Sequence, residues 1–125
     1  MPQKSGTVLI VDDDAAVRSS LKFALEVEGF RVRLYDGPAA LLADRDLPDR
    51  GCLIVDYRMP VMDGLELIDA LRARNVAMPA VLITGRANNE LHRRAAKSGI
   101  SRVLEKPLSD SALIENIRSA FGMYA

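Results

Sequence analysis

The amino-acid sequence predicts an α/β fold, a doubly wound parallel sheet of five strands with a helix following each strand. Two observations carry this. Five short apolar runs alternate with five segments of helical periodicity along 125 residues, and such alternation joins parallel strands by right-handed crossovers with helices on both faces. Three of the runs, the first, third and fourth, are continuously apolar, as interior strands covered on both faces are.

The runs are residues 7–11, 31–35, 52–55, 80–83 and 102–104. In the second, Arg31, Val32, Arg33 and Leu34 alternate, the pattern of an edge strand. Between the runs, Val17, Leu21, Ala24 and Leu25 recur at helical spacing, and Gly29 stops that helix as a C-terminal glycine does. Pro38 opens a short helix to about residue 44, because proline is pre-set for a first helical position. Asp63 and Glu66 form a capping box ahead of Leu65, Ile68 and Leu71. Asn88 or Asn89 caps a more polar helix over 90–98 that Gly99 ends. Ser109 caps the last, where Leu113, Ile117, Ala120 and Phe121 line one side.

Composition narrows the classes. At 49% hydrophobic and 27% charged, with 6 Pro and 8 Gly, the chain is neither collagen-like nor disordered, and its length suits one domain of about 150 residues. The strand–helix units fill residues 1–125 as a single domain, with no linker and no room for a DNA-binding helix pair. No apolar run approaches the roughly 18 residues of a membrane span. Residues 1–6 lack a secretory apolar stretch, and a lone Cys52 fits a reducing compartment, so a cytoplasmic protein is expected. Zero net charge argues against nucleic acid as a ligand. The charge is nonetheless divided: residues 1–63 hold 11 acids against 8 bases, and residues 64–125 hold 6 against 9.

Chemistry in a doubly wound sheet gathers at the carboxyl ends of the strands. There the sequence places Asp12, Asp13 and Asp14 after the first strand, Asp56 after the third, Thr84 after the fourth, and Lys106 with Pro107 after the fifth. Taken singly, each is ordinary. An acidic run suits a helix N-terminus, which Asp14 serves; a strand-end threonine is often a cap, and a lone lysine is usually solvated. Their coincidence at four strand ends is what points to a site. Clustered, partly buried carboxylates resist ionisation, and one ammonium leaves them in excess. A hard divalent cation, Mg²⁺ or Mn²⁺, completes the balance. Asp56, ending its strand alone, is the candidate nucleophile towards phosphorus. Asp12 and Asp13 are placed to hold metal, while Lys106 and Thr84 supply cationic and hydroxyl contacts to phosphoryl oxygens.

At these residues the sequence resembles the receiver domain of two-component response regulators, over nearly its whole length. The resemblance is carried by Asp12-Asp13, by Asp56-Tyr-Arg-Met-Pro-Val-Met-Asp-Gly64, by Thr84-Gly85 and by Glu105-Lys106-Pro107. Their wording is most similar to the nitrogen-fixation regulator (FixJ-like) branch. It implies a flavodoxin-like sheet of order 2-1-3-4-5. It also implies that Asp56 accepts a phosphoryl group from a phosphohistidine on a sensor histidine kinase or phosphotransfer protein. Asp13, Asp56 and the main-chain carbonyl of Arg58 would bind Mg²⁺, with Asp12 acting mainly through water. Lys106 would pair with the phosphoryl oxygens, and Thr84 would swing inward to them. The bond before Pro107 would be cis, and Pro60 and Gly64 would shape the loop past the acceptor. The face of the fourth helix, fifth strand and fifth helix would carry the response, with a phosphorylation-linked homodimer as one outcome. Such a protein is a switch that turns over no external substrate, so it is not expected to be an enzyme.

One position departs from the pattern. The family commonly has an aromatic residue three before the lysine that rotates with the threonine; here it is Val103, which leaves the acceptor chemistry intact but puts the readout in question. The readout face is basic, with Arg86, Arg93, Arg94, Lys97, Arg102 and Lys106 against Glu90 and Glu105, and either selects an acidic partner or is simply solvated. Three other functions fit less well. A haloacid dehalogenase-type phosphatase needs an acid two residues past the nucleophile, where Arg58 stands. A flavin carrier needs a phosphate cradle where Asp12-Asp13-Asp14 would repel phosphate. A degenerate, non-phosphorylated receiver would not keep the whole acceptor set. Of the remaining residues, Cys52 reads as a small buried hydrophobe, His92 as a solvated side chain, Met59 and Met62 as packing groups, and Tyr57 as pointing away from Asp56 across its strand.

Overall fold

β3 (Gly51–Asp56) lies at the centre of a parallel sheet ordered β2-β1-β3-β4-β5, in a computed structural model that describes residues 6–122. Around it run β1 (Thr7–Val11), α1 (Ala15–Val27), β2 (Arg31–Tyr35), α2 (Pro38–Ala43), α3 (Gly64–Ala73), β4 (Ala80–Thr84), α4 (Asn89–Lys97), β5 (Arg102–Glu105) and α5 (Asp110–Ala120). The strand order reverses between β1 and β3, which opens a crevice at their carboxyl ends. Register brings the ends level: Val11 pairs with Val55, Asp56 with Ile83 and Thr84 with Glu105. β3, β4 and β5 each run one residue further than the apolar runs, because the ladder continues through Asp56, Thr84 and Glu105. Asp56 and Thr84, expected just after their strands, therefore close them, held by strand hydrogen bonds, whereas Lys106 follows β5 as expected.

The period of two along each strand divides the core. Val8, Ile10, Cys52, Ile54, Val81 and Ile83 face α1 and α5, meeting Leu21, Leu25, Leu113, Ile117 and Phe121. Leu9, Val11, Leu53, Val55 and Ala80 face Leu41 of α2 and Leu67, Ile68 and Leu71 of α3. Leu82 continues that second face towards Leu65, Leu91 and Ala95, under α4. Cys52 is fully buried, and burial pushes its thiol up to about 12, so it is the inert hydrophobe expected. Among the described residues no helix is long and apolar enough to cross a membrane.

The helix ends follow the sequence. Asp14, Asp63, Asn88 and Ser109 cap α1, α3, α4 and α5, and the Asp63–Glu66 box is complete. Asn88, not Asn89, is the cap residue, so α4 begins one residue earlier than the periodicity suggested. α1, α3 and α4 then close in one way. A left-handed residue, Gly29 (φ 94°), Asn75 (φ 66°) or Gly99 (φ 73°), is followed by an apolar one. The N–H of that apolar residue returns to the helix, from Phe30 to Leu25 at 3.1 Å, Val76 to Leu71 at 2.9 Å and Ile100 to Ala95 at 3.0 Å.

Arg72, on α3, joins two of these ends. Its guanidinium donates to the carbonyls of Ser98 (3.2 Å) and Gly99 (3.0 Å) after α4, and to those of Val76 (3.0 Å) and Met78 (2.8 Å) before β4. A planar fork of five N–H donors can serve four carbonyls at once; an ammonium cannot. Arg72→Met is expected to lower stability by about 2–3 kcal/mol in urea unfolding, because it strands part-buried carbonyls as well as losing bonds. Arg72→Lys should recover less than half of that loss.

Candidate functional site

Among the described residues, the buried polar side chains are those of Asp12 (3% exposed), Asp56 (6%) and Thr84 (1%). All three stand at the carboxyl ends of neighbouring strands. Asp13, adjacent in sequence but exposed, completes a cluster in which one carboxylate oxygen from each of Asp12, Asp13 and Asp56 lies within 4.8 Å of the others. Lys106 enters from the end of β5, with its Nζ 3.4 Å from Asp56 Oδ1 and its side chain 41% exposed. The sequence-predicted carboxylates, hydroxyl and ammonium thus do meet at one edge of the sheet.

Each is held by its local backbone. The Asp12 N–H donates to Tyr35 O at 3.2 Å, and its Oδ1 accepts the Asp14 N–H at 2.9 Å. Asp14 turns away to cap α1, accepting from the N–H groups of Ala16 and Val17, the helix-start role expected of it. Past Asp56, the Tyr57 N–H donates to Ile83 O at 2.7 Å, and the Gly64 N–H returns to Tyr57 O at 2.8 Å. A Cβ on Gly64 would sit 2.7 Å from the Asp56 carbonyl oxygen. That close approach requires glycine and draws the 57–63 loop back onto the acceptor strand. Met59 and Met62 pack beneath the loop on the α2–α3 core, as expected. The Lys106 N–H donates to Thr84 O at 2.8 Å, and the Lys106–Pro107 bond is cis.

The Thr84 hydroxyl is committed to its own loop. Oγ1 donates to Arg86 O at 3.0 Å and accepts the Arg86 N–H at 3.2 Å. Glu105 closes the same loop from β5, its carboxylate accepting the Ala87 N–H at 2.8 Å. Tyr57 points to the face opposite Asp56, as expected. It packs with Ala87, Ile100 and Val103 against Leu65, Leu82, Leu91 and Ala95, and its hydroxyl accepts from Arg94 at 3.4 Å. Sequence reasoning passed over Glu105 as a loop tie. It also missed Arg18, whose guanidinium donates to the Asp12 carbonyl at 2.7 Å; its six-residue offset carries no motif.

Burial pushes the Asp56 carboxyl above its ordinary value of 3.8. The charge and hydrogen bond of Lys106 oppose this, Asp13 adds to it, and the Arg58 N–H lowers it in part. Asp12 is raised for the same leading reason, opposed by the Asp14 N–H and Lys106 and reinforced by Asp56 and Asp13. One ammonium therefore leaves both acids short of compensation. Convergent carboxylate oxygens without thiolate or imidazole fit a small hard divalent cation such as Mg²⁺.

Residues 8–118 match the family model for the response regulator receiver domain. The chain belongs to that family. Its full length is 43% identical over 126 residues to the transcriptional regulatory protein FixJ of Azorhizobium caulinodans, covering 59% of that protein. It is 38% identical to the C4-dicarboxylate transport regulatory protein DctR of Rhodobacter capsulatus, covering 96% of this chain and 62% of that one. The crystal structure of FixJ-N superposes with a TM-score of 0.87 at 36% identity, covering 98% of each chain. The chain thus spans about three-fifths of the length of these two relatives, and the sheet order and FixJ-like likeness read from the sequence stand. Receiver domains are phosphorylation-dependent signalling switches of two-component systems, and they typically bind Mg²⁺.

The electrostatics make a signed expectation. Protons bind these two acids more tightly in the folded state than in the unfolded chain, so their cost is absent well below pH 3.8, grows as pH rises through that value and is complete once pH exceeds the raised values. In chelator, Asp56→Asn should melt higher than the parent, by about 1–2 kcal/mol at pH 7, and the gap should close as pH falls. Calorimetry with Mg²⁺ added should stabilise the parent and leave the variant less affected.

Proposed function

We propose that this receiver domain is a single switch unit over residues 1–125, working in the cytoplasm. In this reading Asp56 takes a phosphoryl group from a sensor histidine kinase or phosphotransfer protein. The observation that carries it is the meeting of Asp12, Asp13 and Asp56 oxygens within 4.8 Å, with Lys106 3.4 Å from Asp56. In transfer, an Asp56 oxygen bonds to phosphorus as the phosphorus–nitrogen bond of the donor histidine breaks, its electron pair returning to the imidazole. Asp12, Asp13, Asp56 and the main-chain carbonyl of Arg58 would hold Mg²⁺, whose charge screens the acids and the phosphoryl oxygens. Lys106 then faces the incoming oxygens with a fixed positive charge. No external substrate is turned over.

The response begins at Thr84. To reach a phosphoryl oxygen its hydroxyl must give up both bonds to the Arg86 peptide, which frees the β4–α4 loop. Ala87 in that loop shares a packing cluster with Val103, Tyr57 and the α4 residues Leu91 and Ala95. Loop movement can therefore reach the α4–β5–α5 face without a large aromatic at Val103. On that face Arg93 pairs with Glu90 at 2.7 Å and Arg102 with Asn116 at 3.0 Å, while Arg86 and Lys97 stay exposed. The remaining positive charge suits an acidic partner surface; a homodimer formed on phosphorylation would need acids of the second copy to meet it.

Incubation with Mg²⁺ and acetyl phosphate should add one phosphoryl group by intact mass, and Asp56→Ala should take none. Absence of labelling in folded, Mg²⁺-saturated protein would sink this reading. Lys106→Ala should slow labelling on the order of a hundredfold. Thr84→Ala should still be labelled but lose the amide shifts that beryllofluoride induces along α4. Reversing Arg93 and Arg94 to Glu should abolish phosphorylation-linked self-association or partner binding; unchanged behaviour would leave the basic face merely solvated.

A further inference from the structure

In the loop after Asp56, the Pro60 carbonyl accepts the Met62 N–H at 2.8 Å across Val61, whose φ is 74°. A hydrogen bond spanning one residue of positive φ is the rare, strained form of the γ-turn. The other described non-glycine residue with positive φ is Asn75, a type that tolerates the left-handed region and does so here to close α3. Valine does not: its branched Cβ crowds the backbone there. Nor is the strain offset by packing, since Val61 is fully exposed. For folding alone glycine would relieve the backbone, and asparagine would do so while being better solvated. An apolar group held out in water on a strained turn has its rationale outside the chain.

The surroundings indicate what it meets. Tyr57, Arg58, Met59, Pro60 and Asp63 of the same loop line an open hollow of about 450 Å³, so a bare apolar knob stands beside a recess. The loop is pinned to the acceptor at both ends, by Tyr57 N–H to Ile83 O at 2.7 Å and Gly64 N–H to Tyr57 O at 2.8 Å. The loop leaves the very strand that Asp56 ends, so it borders the approach of a protein bringing a phosphohistidine far more than that of a small phosphodonor.

We propose that Val61 and the hollow beside it are a specificity contact for the phosphodonor protein. That partner would seat Val61 in an apolar recess of its own and place a side chain in the hollow. This rests on Asp56 being the acceptor, and the test separates the two claims. The parent, Val61→Gly and Val61→Asn are labelled with acetyl phosphate, and separately with each autophosphorylated histidine-kinase core encoded by the source genome. Both variants should melt a few degrees higher than the parent. They should be labelled by acetyl phosphate within twofold of it, yet at least tenfold more slowly by its fastest kinase. An unchanged kinase rate in both variants overturns the proposal. So does a parent that acetyl phosphate labels but no kinase does. So does an effect confined to self-association of phosphorylated protein, measured by sedimentation, which would make Val61 a contact between copies. Failure of acetyl phosphate itself would instead remove the acceptor reading, and this proposal with it.

Discussion

Two carboxyl groups are buried side by side at the open end of a parallel sheet, and one lysine faces them. Every feature around them follows from managing that repulsion. The Asp14 N–H, the Arg58 N–H and the Lys106 ammonium each remove part of the cost, and both acids remain above their ordinary value regardless. A site left so under-compensated is primed for added positive charge, and for a ligand that brings its own cation. A fold selected for stability alone would have put an apolar or neutral pair there.

Thr84 shows the same economy of contacts at the next strand end. Buried hydroxyls must be satisfied, and this one is satisfied wholly by the Arg86 peptide. Those bonds are neutral and local, so a charged acceptor in the crevice can outcompete them. Glu105 ties the same loop at Ala87. The loop is therefore ordered by three hydrogen bonds to two side chains, with Ala87 its one apolar contact with the core, as segments that rearrange tend to be.

Much of this was legible in the sequence, because its signals are local or periodic. Strand–helix alternation fixes which residues end strands, so Asp12, Asp56, Thr84 and Lys106 could be placed on one edge before any coordinates. Caps such as Asp63 with Glu66 are readable within four residues. The contacts that escaped are of other kinds. Arg72 reaches carbonyls 26 and 27 residues away, and Glu105 meets a loop 18 residues back, distances at which no pattern is written. Val61 escaped because a dihedral angle leaves no mark in composition. Strand limits slipped by a residue where polar side chains, read as the start of loops, belong to the hydrogen-bonded ladder.

The Arg72 fork bears on how α4 can move. It grips the carbonyls of Ser98 and Gly99, and the Ser98 hydroxyl also donates to Asp69 of α3 at 2.6 Å. The far end of α4 follows the loop that Thr84 and Glu105 hold. The polar ties of α4 thus sit at its two tips, while Leu91 and Ala95 pack on the core between them. If phosphorylation frees the loop as proposed, the clamp would make its displacement a swing of the α4 N-terminal half about the Arg72 end, turning the outer side chains through an arc and sparing the α3 junction.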